Sequence, residues 1–302
     1  MVVSKLDLKI GFDCNNFCDF CIQGNKRKIY SNRDFKILYL EMKKSRSLGV
    51  VDICITGGEP TLHADIVKVV LSAKKLGFKN IQIQSNGSRF GEKAFFLQLL
   101  KAGVTEFSPS LHGSNAKIHD DLVHRKGAFQ QCVAGIELIH KFKQKILTNT
   151  VITSKNYKDL PNIAKLLSKY NISQMQFAFV HIGGTAFKNR EWLVPKKTLV
   201  MPYVKKALDF VRKKNILGMV EAIPYCLMSG YEDCISEDFM PDTRVFDSNG
   251  VLVSYKKYKT EGEKGKKKRM ECLKCKYNKI CEGPWNEYPE MFGWDEFQSI
   301  KK

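Results

Sequence analysis

Short apolar runs alternate with helical stripes over the first two-thirds of this chain. Runs of strand type fall at residues 6–12, 50–56, 80–86, 106–112, 146–153 and 175–181. Between them, apolar side chains at i, i+3, i+4 and i+7 mark amphipathic helices: Phe35, Leu38, Tyr39 and Met42, then Ile66, Val69, Val70 and Ala73, and later Leu160, Ile163, Ala164 and Leu167. Gly49, Gly77 and Gly103 stand where such helices should end. Six strand–helix units in succession predict a parallel sheet with covering helices, because parallel strands need crossover connections. The fold class expected is therefore α/β, an incomplete (β/α)6 barrel over about residues 5–195, with its chemistry at the C-terminal ends of the strands.

After Pro195 the rhythm changes. A basic helix is expected at 198–215, a strand at 218–223, and a hairpin at 244–255 turning at Ser248-Asn249-Gly250. The division expected is a barrel at 1–195, a connecting helix and strand at 196–222, and a small C-terminal domain at 223–302. The run 256–269 carries eight basic and two acidic residues. Such runs are usually solvated loops; the functional alternative is docking of an acidic substrate or reductase.

Composition narrows the classes. With 43% hydrophobic and 27% charged residues in 302, the chain can bury a core, which excludes a disordered or fibrous protein. No run approaches the ~18 apolar residues of a membrane span, and the opening MVVSKLDLKI lacks the long apolar core of a signal peptide, so a cytoplasmic protein is expected. Fifty basic against 31 acidic residues, a net +19, favours acidic partners: nucleic acid, an acidic peptide or an acidic electron donor. Ten clustered cysteines in a reducing compartment read as metal ligands or catalytic groups rather than disulfides.

Directly after the first strand stands Cys14-Asn15-Asn16-Phe17-Cys18-Asp19-Phe20-Cys21, a CxxxCxxC. Three thiolates in eight residues can hold three irons of a [4Fe–4S] cube and leave the fourth open. At the end of the second strand comes Gly57-Gly58-Glu59-Pro60, where missing β-carbons allow close backbone approach to a ligand and Pro60 stiffens the exit. In these two motifs the sequence resembles the radical S-adenosylmethionine (radical SAM) superfamily, over its first two-thirds. The resemblance implies that Cys14, Cys18 and Cys21 hold the catalytic cluster, whose open iron is chelated by SAM, and that Gly57, Gly58, Glu59 and Pro60 receive the methionine amino group. It further implies SAM-site roles for Ser85 and Asn86 near the ribose, for Ser110, His112 and Asn149 as polar groups of the SAM or substrate site, and for Arg125 at the SAM carboxylate. Their alternatives are ordinary loop capping, core satisfaction and, for Arg125, a solvated basic turn.

Near the end, Cys272, Cys275 and Cys281 form CxxCxxxxxC. This resembles the auxiliary-cluster domain called SPASM, or its shorter twitch form, found in many radical SAM maturases. Position 285, a cysteine in the longer form, is Trp285 here, which favours one auxiliary [4Fe–4S] cluster. Its fourth ligand would come from Cys226, after the rigid Pro224-Tyr225, or from Cys234, and Cys226 is preferred; a zinc ribbon is the alternative for the trio. Cys54 and Cys132 read as buried structural thiols.

The resemblance implies an enzyme that cleaves SAM reductively and takes hydrogen from a peptide or protein substrate, served by a reductase such as flavodoxin or ferredoxin. A second reading within the family is small-molecule chemistry of the GTP-cyclase kind, although that family's terminal glycine pair is missing from the closing Ser299-Ile300-Lys301-Lys302. A reading of another class is a zinc-bearing nucleic-acid-binding protein. It leaves the glycine turn and single-loop cysteine trio unexplained, and the basic run has little aromatic interleaving for base stacking, so nucleic acid is not the expected partner.

Overall fold

The computed structural model describes residues 3–301. One sheet of nine strands runs through it in the order β7-β6-β5-β4-β3-β2-β1-β8-β9. The first six are Lys5–Lys9, Asp52–Thr56, Asn80–Ser85, Glu106–Pro109, Lys145–Ile152 and Ile172–Phe179, followed by β7 at Leu217–Glu221. Each pairs in parallel with the next, as Leu6 with Ile53 or Ile83 with Phe107. Because the two ends of the sheet do not pair with each other, it is an open, partial barrel.

Crossover helices at Phe35–Ser47, Ile66–Lys75, Lys93–Ala102, Ala128–Lys141, Leu160–Leu167 and Lys197–Lys213 cover the outer face. Their starts and stops follow local chemistry. Asp34 caps the first, its carboxylate accepting from the Lys36 amide at 2.7 Å, and Gly103 ends the third with φ of 115°, a left-handed geometry that suits glycine. The stripes named above go to the core: Leu38 and Met42, Val69 and Val70, Ile163 and Ala164 are all fully buried. From Ile146 on β5 and from Gln174 on β6, buried and half-buried residues alternate. The buried set faces the helices, and the half-buried set, with Asn149, Val151 and Ala178, faces a cavity inside the sheet.

The sheet does not stop at residue 195. β7 extends it past β6, and the hairpin β8 (Thr243–Asp247) and β9 (Gly250–Leu252) joins the other edge, β8 lying parallel to β1 with Leu6 opposite Arg244. The segments set apart as 196–222 and 223–302 thus supply three strands of the same sheet. Hydrophobic patterning cannot reveal this, since pairing across such a sequence distance leaves no periodic mark. Among the described residues no helix is long and apolar enough to cross a membrane.

A buried ion pair fastens the hairpin. Arg244 Nε donates to Glu41 Oε1 at 2.7 Å, and Ser45 Oγ donates to the same oxygen. Both charged side chains are more than nine-tenths buried. R244A leaves the Glu41 carboxylate buried without its cation and should cost about 3–5 kcal/mol, whereas the double replacement E41L/R244M should cost far less. Urea unfolding midpoints of the three proteins check this; a loss below about 1 kcal/mol in R244A would show the pair to be incidental.

The lysine-rich run departs from the solvated loop expected of it. Residues Tyr255–Glu261 are helical, capped by Ser254 Oγ accepting from the Lys257 amide. Lys259 and Lys266 are buried: Lys259 Nζ meets Glu282 at 2.9 Å, and Lys266 Nζ meets Glu237 at 2.6 Å and Glu282 at 2.7 Å. Burial opposes the charge of Lys266, but the two carboxylates outweigh it and hold its pKa above the ordinary lysine value. The acidic partners come from distant segments, so a count along the run could not show the pairing.

Candidate active site and a second cysteine cavity

A cavity of about 400 Å³ opens at the C-terminal ends of the strands. Cys14, Cys18 and Cys21 line one wall, on the loop leaving β1. That loop is strapped on every side. Phe17 and Asp19 amides donate to Val123 and Leu122 carbonyls, Thr185 N donates to the Cys21 carbonyl at 2.8 Å, and the Arg27 guanidinium donates to the carbonyls of Cys14 and Asn16. Phe20, before the last cysteine, packs edge-on against His112 with ring centres 4.5 Å apart. Burial and nearby charges raise the thiols of Cys14, to about 11, and Cys18.

The glycine turn lies against that loop. Gly58 N donates to Gly11 O at 2.9 Å and Glu59 N to Asp13 O at 2.7 Å. A Cβ on Gly57 would come within 2.2 Å of Gly11 O, and one on Gly58 within 2.4 Å of Phe12 O. The close approach these glycines permit is therefore to the exit of β1 as well as to the cavity they line. Glu59 is a buried tie between strands: Oε1 accepts from Ser85 Oγ and Thr61 N, and Oε2 from the Asn86 amide at 2.6 Å. Burial raises its pKa against these hydrogen bonds.

Ser85, Asn86, Ser110, His112 and Asn149 also line the cavity; Pro60 and Arg125 do not. The Arg125 guanidinium instead donates to Asn16 and Gln131, and its Nη2 is buried without a partner. Asn149 Oδ1 is likewise buried and unpartnered. His112 is a neutral histidine: Nδ1 accepts from Val151 N, and burial, with His119 beside it, keeps its pKa well below the ordinary value.

The cavity also draws in residues that the sequence reading passed over. Asp7 and Lys9, an ion pair of 2.6 Å, point inward from β1, with Thr56 Oγ1 donating to Asp7. Their signal was the alternation Leu6-Asp7-Leu8-Lys9, whose apolar members are fully buried. Glu221 at the end of β7, His181 and Trp285 complete the wall, His181 stacked on Trp285 at 4.2 Å.

A second, smaller cavity lies in the C-terminal region. Cys226, Cys272, Cys275 and Cys281 all line it, with Pro224 and Trp294. Burial and the other three thiols raise the Cys226 pKa to about 12. Cys234 is elsewhere, buried beside Arg212 and Asp233 in a run of short 3-10 turns. Cys54 and Cys132 are buried, as structural thiols should be. No group of three or more His, Cys, Asp or Glu side chains among the described residues is arranged to hold a single metal ion.

Comparison with known proteins bears on both halves. The Radical SAM superfamily model matches residues 8–167, more than half of the chain. A probable GTP 3′,8-cyclase of Saccharolobus islandicus is 27% identical over 183 residues, 59% of this chain and 58% of that protein. One of Saccharolobus solfataricus is 27% identical over 218 residues, 70% of this chain and 69% of that protein. The chain thus matches little more than half the length of the first of these relatives. Among solved structures, Streptococcus suis SuiB bound to precursor peptide SuiA superposes with a TM-score of 0.70 at 18% identity, over 99% of this chain and 76% of that one. Native anSMEcpe with bound AdoMet gives 0.66 at 15% identity, over 97% and 96%. At such identities these likenesses show a shared fold. The family match, on a partial parallel barrel with a CxxxCxxC loop at its mouth, makes the chain a member of the radical SAM superfamily.

Proposed function

We propose that this enzyme modifies a peptide or protein, and that it carries one auxiliary cluster on Cys226, Cys272, Cys275 and Cys281. The observation that carries the reading is the gathering of those four thiols around one small cavity, which Gly283 and Pro284 also line, while the next residue, Trp285, lines the main cavity. A soft four-thiol donor set suits an iron–sulfur cluster. SuiB with its precursor peptide and anSMEcpe with bound peptide share the fold and add support.

At the main cavity, Cys14, Cys18 and Cys21 fit a catalytic cluster: three half-buried thiols on one strapped loop, facing the cavity. A cluster held on these three thiols would supply one-electron reduction of SAM, chemistry that yields methionine and a 5′-deoxyadenosyl radical able to take hydrogen from a substrate. The chain's own part is orientation and exclusion of water. The turn Gly57, Gly58 and Glu59, held rigidly by Ser85 and Asn86, presents backbone groups to the amino acid end of SAM. Ser110 and the unpartnered Asn149 Oδ1 offer hydrogen bonds deeper in the cavity. Arg125, through Asn16, positions the cysteine loop rather than touching the SAM carboxylate. A reductase of the flavodoxin or ferredoxin kind would deliver electrons, drawn by the +19 charge.

The GTP-cyclase reading has the curated relatives in its favour. Against it, of the two Lys and Arg side chains that line the cavity Lys9 is neutralised by Asp7, which leaves Arg27, itself donating to two carbonyls, as a single cation. A triphosphate would find no free basic cluster. The test is 5′-deoxyadenosine release by anaerobically reconstituted enzyme under dithionite, with GTP or with peptides translated from small open reading frames beside the gene. A peptide should raise the rate at least about tenfold and gain a mass change, while GTP should leave it unchanged. Stimulation by GTP with formation of a cyclised product would overturn the proposal.

A further inference from the structure

Three lysines inside and around the main cavity are paired with carboxylates. Lys9 meets Asp7, Lys259 meets Glu282, and Lys266 bridges Glu237 and Glu282. Two carboxylates that line the cavity, Glu59 and Glu221, form no ion pair among the described residues, and Glu59 has both oxygens filled by hydrogen bonds from Ser85, Thr61 and Asn86. Glu221 is half-buried and opens onto the cavity. Its single side-chain partner is Gln176 on the neighbouring strand, whose Nε2 donates to Oε2 at 2.6 Å; Oε1 has none. Burial, with Glu237 nearby, raises its pKa against the pull of Lys266 and Lys259, whose ammonium groups are paired directly with Glu237 and Glu282 rather than with Glu221. A carboxylate held so, without a cation, is costly to a fold and is characteristic of places where a ligand brings the missing charge.

The surroundings suit a particular ligand. Phe179, His181 and Trp285 line the cavity on the same side, and the last two are stacked. Burial and Lys266 push the pKa of His181 down to about 4, so the ring is neutral and does not repel a cation. Aromatic faces of this kind shelter the methylene stem of a long basic side chain and attract its head. The residues assigned above to SAM belong to the cysteine loop and to β2 through β5, which leaves the β6–β7 side for substrate. We infer that Glu221 is the specificity residue of this enzyme and that it receives a cationic side chain of the substrate, lysine or arginine, laid along the His181–Trp285 stack. The inference rests on the peptide reading above. It is compatible with an acidic peptide overall, since the basic exterior acts on the whole chain and Glu221 on one residue.

Calorimetric titration of the SAM-bound, anaerobically reconstituted enzyme tests it, with three probes: Nα-acetyl-lysine methylamide, the arginine analogue and the isosteric norleucine analogue. One of the cationic probes should bind at least about tenfold more tightly than norleucine, as a desolvated charge-assisted pair would give, and the tighter one names the side chain. E221Q should abolish the preference by weakening only the cationic probe, and E221D, which keeps the charge, should restore part of it. Equal affinity for all three probes in the unmodified enzyme, binding of none of them, or a preference that survives in E221Q would overturn the assignment. If E221Q does not fold, the comparison of probes on the unmodified enzyme decides alone. Equal binding of all three probes sinks the role of Glu221 and leaves the peptide reading standing; tight binding of GTP with none of the three would sink both.

Discussion

Replacement of Cys14, Cys18 and Cys21 together by alanine should halve the iron content, from about eight to about four atoms per chain, and abolish reductive cleavage of SAM. The three thiols lie on one loop of the cavity wall, and no other cysteine lines that cavity. Nothing nearby can take their place. The loop's own hydrogen bonds run through backbone groups and through Arg27, not through the sulfurs alone, so the variant should keep its fold. Iron and sulfide analysis, with chromatography of 5′-deoxyadenosine under dithionite, reads the outcome. Retention of SAM cleavage would place the catalytic cluster elsewhere. Stoichiometric zinc without labile sulfide in the unmodified protein would remove the proposed clusters altogether.

The second large effect concerns Cys226. If it completes the auxiliary site, C226A should lower iron or change that cluster's electron paramagnetic resonance signal, while C234A should do neither. Geometry favours the first: Cys226 shares the small cavity with Cys272, Cys275 and Cys281, and Cys234 does not line it. A different role is chemically open to Cys226, the return of a hydrogen atom to a substrate radical. In that case C226A would keep both clusters and split SAM, yet fail to finish the reaction. Full iron with unchanged spectra in C226A, together with their loss in C234A, would reverse the ligand assignment.

What could be read from the sequence was what is written locally. Strands and helices announce themselves through periods of two and 3.6 residues, and the first trio of cysteines and the glycine turn are each contiguous, so neither needs a tertiary structure to be noticed. Cys226 was reached only as the better of two candidates, because its neighbours in space are some fifty residues away in the chain. Glu221 was missed for a physical reason: an acidic residue ending a strand has no distinguishing pattern until its neighbours prove to be paired and it does not. The same holds for Lys259 and Lys266, whose run reads as solvated until Glu237 and Glu282 are placed beside it. Long-range pairing also hid the hairpin's attachment to β1, which turned an expected appendage into part of the sheet.

That attachment has a consequence during synthesis. β1 (Lys5–Lys9) leaves the ribosome long before β8 (Thr243–Asp247), the strand that covers its free edge. At ~5–20 residues per second the nascent chain spends roughly 10–50 s with that edge of β1 bare. An uncovered edge beside Leu6 and Leu8 is a template for pairing with a second nascent chain. Yield in a heterologous host should therefore depend on chaperone supply and translation speed more than the stability of the finished protein would suggest, and chains that stop short of residue 243 should aggregate even though six strand–helix units are complete.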